Sequence, residues 1–207
     1  MKFIRGSFVI YLLCCALFSQ AATQRTGLKK ALEQGLVSLV AKSHERYNGK
    51  GLSITIHNKT RQALQVTIDP ALIFRSMDTA FQHLVIMDHV VVALPAQGDR
   101  EVPLQTFCAK SYAHAPATAL PYAYARQGDS NMIRVLQFIE QYHLFNDAGQ
   151  QAVWVLTNHH SLDAVYDPEQ PAVSAKLVAL LSKLTGQPAP DYYRTYKLDT
   201  MAGAPVL

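Results

Sequence analysis

Apolar and polar residues alternate along the chain with two different periods, and the changes of period predict its organisation. In residues 26–46 the apolar positions recur at the spacing of one helix face, which predicts an amphipathic helix within an N-terminal segment 23–50. The residues of that face are Leu28, Ala31, Leu32, Leu36, Val37 and Val40. The turn-forming residues Asn48 to Gly51 follow it and indicate where the helix ends.

From residue 51 onward the chain contains short segments in which every second residue is apolar, which is the pattern of half-buried strands. The first two strand faces consist of Leu52, Ile54 and Ile56, and then of Leu64, Val66 and Ile68. Further strands are predicted at 81–87, 89–94 and 101–108, with turn residues at 58–60 and 95–99. Short strands separated in this way are typical of an antiparallel β-sandwich, so we expect one of immunoglobulin-like type over residues 51–118.

After residue 118 the helical period returns. Asp129 or Ser130 is a candidate cap for a helix, residues 148–158 form a second helix that is apolar on nearly all sides, and a third is ended by Gly186. The apolar stripes of the first and third helices are Met132, Val135, Leu136 and Ile139, and Val173, Leu177, Leu180, Leu181 and Leu184. The expected class is therefore α+β: one helix, the sandwich, and a helical part over 119–207 with an aromatic C-terminal tail.

The first 22 residues have the pattern of a secretory signal peptide. Lys2 and Arg5 provide a basic start, an apolar run over 8–18 follows, and the small residues at 19–22 predict cleavage after Ala21 or Ala22. This run is shorter than the ~20 apolar residues of a membrane-spanning helix, and no later run reaches that length. We therefore expect an exported protein, periplasmic, on the cell surface or extracellular, without a membrane span after cleavage.

Cleavage changes the charge and the cysteine content. The loss of Lys2 and Arg5 lowers the basic count from 19 to 17 against 15 acidic residues, which leaves a net charge of +2. So small a charge is evidence against a nucleic-acid partner. Cys108 becomes the only cysteine, so the mature chain is not expected to contain an internal disulfide.

Two short segments carry the most specific chemical signal. Phe107-Cys108 ends the last predicted strand, and Gln150-Gln151-Ala152-Val153-Trp154 lies in the second predicted helix. Together they resemble the thioester domains of bacterial surface adhesins. The resemblance implies that the Cys108 thiol condenses with the Gln150 carboxamide, with loss of ammonia, to give a buried thioester that a host amine can attack.

A second resemblance covers most of the mature chain. The order of helix, sandwich with a late cysteine-bearing strand, and helices with a Gln-x-Ala-Val-Trp segment is similar to a group of uncharacterised secreted bacterial proteins. It implies export and an immunoglobulin-like fold, and it implies no particular activity.

A purely structural interpretation explains the same segments. Asp147 is a candidate N-cap, and Gln150 three residues later would complete a capping box with it. Trp154 would then anchor the helical part to the sandwich, and Cys108 would be a small buried apolar residue.

Two weaker sites remain. His159 and Asp163 would share a helix face if the helix continued, and imidazole with carboxylate suits zinc. No third ligand is visible, so we expect neither metal nor other cofactor.

The tail is the second of these sites. A candidate partner-binding surface consists of Tyr192, Tyr193, Arg194 and Tyr196, although tyrosines on an edge strand would have the same pattern.

Three functions are compatible with these features. The leading one is an exported, non-enzymatic binding or structural module whose partner is an unknown protein or a surface glycan. The second is an adhesion domain with a Cys108–Gln150 thioester, and the third is a metal-dependent hydrolase. A Gly-x-Ser-x-Gly nucleophile motif and a glycine-rich phosphate loop are both absent from the sequence.

Overall fold

The structure is a computed structural model that describes residues 24–46, 48–191 and 193. The predicted signal peptide, residues 1–22, lies outside this range. In chain order the elements are β1 Gln24–Gly27, α1 Leu28–Glu33, β2 Val37–Ser43, β3 Asn48–Asn58, β4 Leu64–Ile68, β5 Leu72–Ser76, β6 Leu84–Ile86, β7 Val90–Leu94, β8 Asp99–Cys108, β9 Pro121–Gln127, α2 Ser130–Gln141, α3 Asp147–Asn158, a 3₁₀ turn Leu162–Ala164 and α4 Pro171–Thr185.

Six of the strands form a closed antiparallel barrel in the order β2-β3-β8-β6-β5-β9. The other three form a separate sheet, β1-β4-β7, in which β1 runs parallel to β4 and β7 antiparallel to it. The predicted immunoglobulin-like sandwich is therefore wrong. Strand β9 pairs with β5 on one side and with β2 on the other, so the sheet closes on itself.

The predicted helix over 26–46 is also wrong beyond its first turns. Helix α1 ends at Glu33, and Gly35 follows in the left-handed region with φ of 66°. The chain then enters β2, which pairs with β3 from Val37 opposite Asn58 to Ser43 opposite Leu52. The sequence of β2 does not show the strand alternation clearly, because Val40 is apolar although it lies on the outer face and is 59% exposed.

Strand β9 is not predicted from the sequence because its alternation is weak. Its sequence is PYAYARQ, and among its residues only Tyr122 is fully buried, at 5% exposure. It lies between the predicted sandwich and the predicted helical part. The barrel therefore extends past the expected boundary at residue 118.

Two apolar cores result. The inward residues of the barrel, among them Ile54, Leu104 and Cys108, form the first core. The outward faces of β5, β6 and β8 contribute Ile73, Val85 and Phe107 to a second core under α2, α3 and α4. None of the helices in the described part of the chain has the length and apolarity needed to cross a bilayer.

The three later helices form where the sequence predicts them. The carboxylate of Asp129 accepts a hydrogen bond from Met132 N at 2.9 Å and caps α2. Gly186, with φ of 75°, ends α4. The predicted apolar stripe of α2, Met132, Val135, Leu136 and Ile139, is buried.

The first turn of α3 lies very close to the segment that connects it to α2. A Cβ atom on Gly149 would lie 2.0 Å from the Leu144 carbonyl oxygen and 3.0 Å from Cζ of Phe107. Only glycine fits this position, because a side chain would overlap the main chain at Leu144.

We expect Gly149→Ala to destabilise the fold by about 3 kcal/mol, because the added methyl group overlaps main-chain atoms that cannot move aside. Gly35→Ala is the matched control, since its Cβ would meet nothing within 4 Å and only the left-handed φ is unfavourable. That control should cost about 1 kcal/mol. Urea unfolding of both variants measures the difference, and equal losses would contradict the packing argument.

Candidate functional site at the end of strand β8

The structure brings Cys108 and Gln150 into direct contact. Cys108 is the last residue of β8, and Gln150 lies in the first turn of α3. The Cys108 main-chain N–H donates to Oε1 of Gln150 at 2.9 Å, and Nε2 of Gln150 donates to the Cys108 carbonyl oxygen at 2.8 Å, across 42 residues of sequence. The carboxamide therefore pairs with the peptide groups of the cysteine residue itself.

The reason for this pairing lies in the barrel. The Gln105 carbonyl oxygen accepts from Met87 N, and Ala109 N donates to the His83 carbonyl oxygen, both next to β6. The peptide groups of Cys108 therefore face the opposite side, where β3 runs. Strand β3 begins at Asn48, whose partner on β8 is Phe107. Among the described residues of β3, none lies opposite Cys108. The Gln150 carboxamide satisfies both peptide groups on this side of β8.

The pair is excluded from solvent. Cys108 is 0% exposed and Gln150 is 1% exposed. Burial raises the pKa of the Cys108 thiol to about 12, so the thiol is neutral at physiological pH. A neutral, buried thiol reacts slowly with external oxidants and electrophiles.

Tyr122 is a component of this site that sequence reasoning missed. Its hydroxyl donates to the Gln82 carbonyl oxygen at 2.8 Å. Burial raises the pKa of Tyr122. Its side chain belongs to the same barrel core as Cys108. The missed strand β9 carries this residue, and no local motif indicates its position.

Trp154 lies one helical turn after Gln150 and contacts the barrel core to which Cys108 belongs. Its ring is only partly buried, with its centroid 5.4 Å from that of His160. Its Nε1 atom is buried and has no hydrogen-bond partner among the described residues. Trp154 thus lies on the same side of α3 as Gln150 and packs the helical layer against the barrel.

The predicted capping box is wrong. Asn146, not Asp147, is the N-cap of α3, and its Oδ1 accepts from Gly149 N at 3.3 Å. Asp147 is the first residue of the helix, where a negative charge interacts favourably with the helix dipole. Gln150 takes no part in capping because its carboxamide is bound to Cys108. Asparagine is as good an N-cap as aspartate, so the sequence did contain this signal.

The two weak metal candidates do not share a helix face. Helix α3 ends at Asn158, and His159 adopts a left-handed conformation with φ of 58°. The carboxylate of Asp163 instead accepts a hydrogen bond from the Ser161 hydroxyl. Within residues 24–46, 48–191 and 193, no three histidine, cysteine, aspartate or glutamate residues are close enough to hold a metal ion.

Only Tyr193 of the predicted aromatic surface is described. Its side chain is partly buried and packs against the core beneath the helices. Tyr192, Arg194 and Tyr196 lie outside the described residues.

Comparisons of the chain with protein-family models, curated proteins and solved structures found no significant match. The function is therefore argued from the geometry of this site.

We expect Gln150→Ala to lower the free energy of unfolding by about 2–4 kcal/mol, because it leaves a buried N–H and a buried carbonyl of Cys108 unpaired. The neighbouring Gln151→Ala is the control. Gln151 is partly buried and its carboxamide makes one long contact, 3.3 Å, with Nδ1 of His160.

The control variant should lose less than about 1 kcal/mol. Chemical denaturation of the two variants and the parent tests this expectation. Similar stabilities for both variants would show that the Gln150–Cys108 pairing contributes little.

Proposed function

We propose that this protein is an exported adhesion module in which Cys108 and Gln150 form an internal thioester that couples covalently to an amine on a partner surface. One observation carries the proposal: two hydrogen bonds hold the Gln150 carboxamide against Cys108, 42 residues earlier in the chain. A capping box would have kept this side chain at the start of its own helix. The hydrogen bonds are with the main chain of Cys108, and they bring the carboxamide to the residue whose thiol would condense with it.

The reaction is balanced without an oxidant or a cofactor. Sγ of Cys108 attacks Cδ of Gln150, the S–C bond forms, and the C–N bond breaks. The carboxamide nitrogen leaves as ammonia and takes the thiol proton with it. The Cys108 N–H donates to Oε1, the atom on which negative charge develops during the attack. A preorganised main-chain donor at that position stabilises the tetrahedral intermediate.

In the coupling step the leaving group is the Cys108 thiolate instead of ammonia. A primary amine attacks the same carbon, an amide bond forms to the Gln150 side chain, and the Cys108 thiolate leaves and takes up the proton of the amine. The thioester must survive in water until that encounter. The near-zero exposure of both residues and the cover provided by Trp154 support this requirement. Cys108 is also the only cysteine among the described residues, so another thiol of that region cannot capture the thioester.

A second candidate is a non-covalent interaction module for a protein or surface glycan. The hydrogen bonds of Gln150 favour it, because they already satisfy the carboxamide and the end of β8 in the unreacted state. In this candidate the Gln150–Cys108 hydrogen bonds only hold the helical layer against the barrel. The two candidates differ in one covalent bond, which mass measurement detects.

We expect the intact mass of freshly purified mature protein to be short by one ammonia. Methylamine should react with it and add the mass of one methylamine. Cys108→Ala and Gln150→Glu should each have the full mass calculated for the variant, because neither can form the bond. Gln151→Glu is the matched control and should retain the deficit.

A full parental mass that methylamine does not change would overturn the thioester and favour the non-covalent module. Unfolding measurements on Gln150→Glu and Gln151→Glu confirm that each variant is folded before its mass is compared.

Export is the second part of the proposal, and the basic and apolar pattern of residues 1–22 supports it. Protein recovered outside the cytoplasm should begin at Ala22 or Thr23, as determined by N-terminal sequencing. Uncleaved protein retained in the cytoplasm, or a lipid-modified Cys15 at the N-terminus, would contradict an ordinary cleaved signal.

A further inference from the structure

A cleft of about 550 Å³ opens on the outer face of the barrel, at the edge of the helical layer. It lies between β5, β9, the segment after β8, the start of α2 and the end of α3. This volume is in the range of pockets that hold small molecules. The cleft is separate in chemistry from the Cys108–Gln150 pair, and the inference below does not depend on the thioester.

The cleft is strongly cationic. Arg75, Lys110 and Arg126 line it together with His83. Burial lowers the pKa of His83, and the positive charges of Lys110, Arg75 and Arg126 lower it further. The three cations and the imidazole thus line the same cleft, and the lowered pKa keeps His83 neutral at physiological pH, where its ring can donate or accept a hydrogen bond.

The described carboxylates neutralise these charges only in part. In the described part of the chain, no carboxylate lies within salt-bridge distance of Arg75, Lys110 or Arg126. One acidic residue, Asp129, lines the cleft, and its Oδ1 is already used as the cap of α2. Three cations thus face one carboxylate.

The helix dipoles do not change this balance. Helix α2 begins at the cleft and presents the positive end of its dipole, whereas α3 and α4 end there and present negative ends. Each helix end carries only about half a unit charge, so the formal charges still decide the sign of the potential.

Neighbouring contacts hold part of this arrangement in place. Nζ of Lys110 donates to the Thr79 carbonyl oxygen at 2.7 Å and lies 5.2 Å from the ring centre of Tyr112, a favourable cation–π distance. Oδ1 of Asn158 accepts from Ser111 N at 3.1 Å, which ties this loop to the end of α3. That contact uses only the oxygen of the Asn158 side chain, so its amide N–H groups remain as donors at the cleft.

We infer that this cleft is a binding site for the phosphate or sulfate ester of a small, sugar-sized molecule. Two guanidinium groups and an ammonium group match the charge and geometry of a tetrahedral oxyanion. The amide of Asn158 and the neutral imidazole of His83 add directional hydrogen bonds. The exposed ring of Tyr112 at the rim and the apolar side chain of Met132 suit the less polar body of the ligand.

Calorimetric titration of the full mature protein with glucose 6-phosphate, glucose 6-sulfate and glucose tests the inference. Both esters should bind at low ionic strength and glucose should not. Tighter binding of the phosphate would indicate a doubly charged natural ligand, and equal or tighter binding of the sulfate would indicate a sulfate ester. Added salt should weaken either interaction.

Arg75→Gln and Arg126→Gln should each weaken binding at least tenfold, because each removes a charge-assisted contact. Arg134→Gln is the matched control, since Arg134 is an exposed arginine of α2 outside the cleft. It should leave the affinity unchanged. Failure of both esters to bind at millimolar concentration, or equal losses in all three variants, would overturn the inference. Thermal unfolding of each variant identifies any loss that comes from misfolding.

Discussion

The end of β8 needs a hydrogen-bonding partner, and much of the structure follows from how that need is met. Among the described residues, β3 pairs with β8 only as far as Phe107, and within this part of the chain the peptide groups of Cys108 would be buried without a partner if Gln150 were removed. Each such group costs about 1–3 kcal/mol. Gln150 satisfies both, and to do so α3 must lie across this end of the barrel. Gly149 leaves room for the Leu144 carbonyl oxygen just before α3, and the ring of Phe107 lies beside it.

This contact also fixes the helical layer as a whole. The first core is built by the six barrel strands together with α1, β4 and β7, whereas the second core exists only where α2, α3 and α4 cover the outward residues of β5, β6 and β8. Apolar packing determines that these helices lie on the barrel, but it is not directional. The paired hydrogen bonds between Gln150 and Cys108 are directional and therefore set the position of α3 along β8.

The strands and helices with a clear period could be predicted from the sequence, as for Leu52, Ile54 and Ile56 or for the stripe of α2. The barrel could not, because its closure depends on pairing β9 with β2, two segments far apart in the chain, with weak or hidden alternation. For the site, the motif around Cys108 and Gln150 indicated the two residues that the fold brings together. It could not indicate how they meet, since the carboxamide binds the main chain of Cys108 and Tyr122 from the unpredicted β9 belongs to the same buried core as the thiol.

The outward face of β5 and β6 is apolar beneath the helices and cationic beyond the edge of the helical layer. Ile73 and Val85 are covered by helices, whereas Arg75 and His83, two residues further along the same strand faces, line the open cleft. Cations held close together without carboxylate partners repel one another, which opposes folding. Burial of His83 among them adds a further constraint, because the imidazole must remain neutral. An arrangement that is unfavourable for stability by itself becomes favourable when an anion occupies the cleft, since binding to the folded state alone offsets the repulsion.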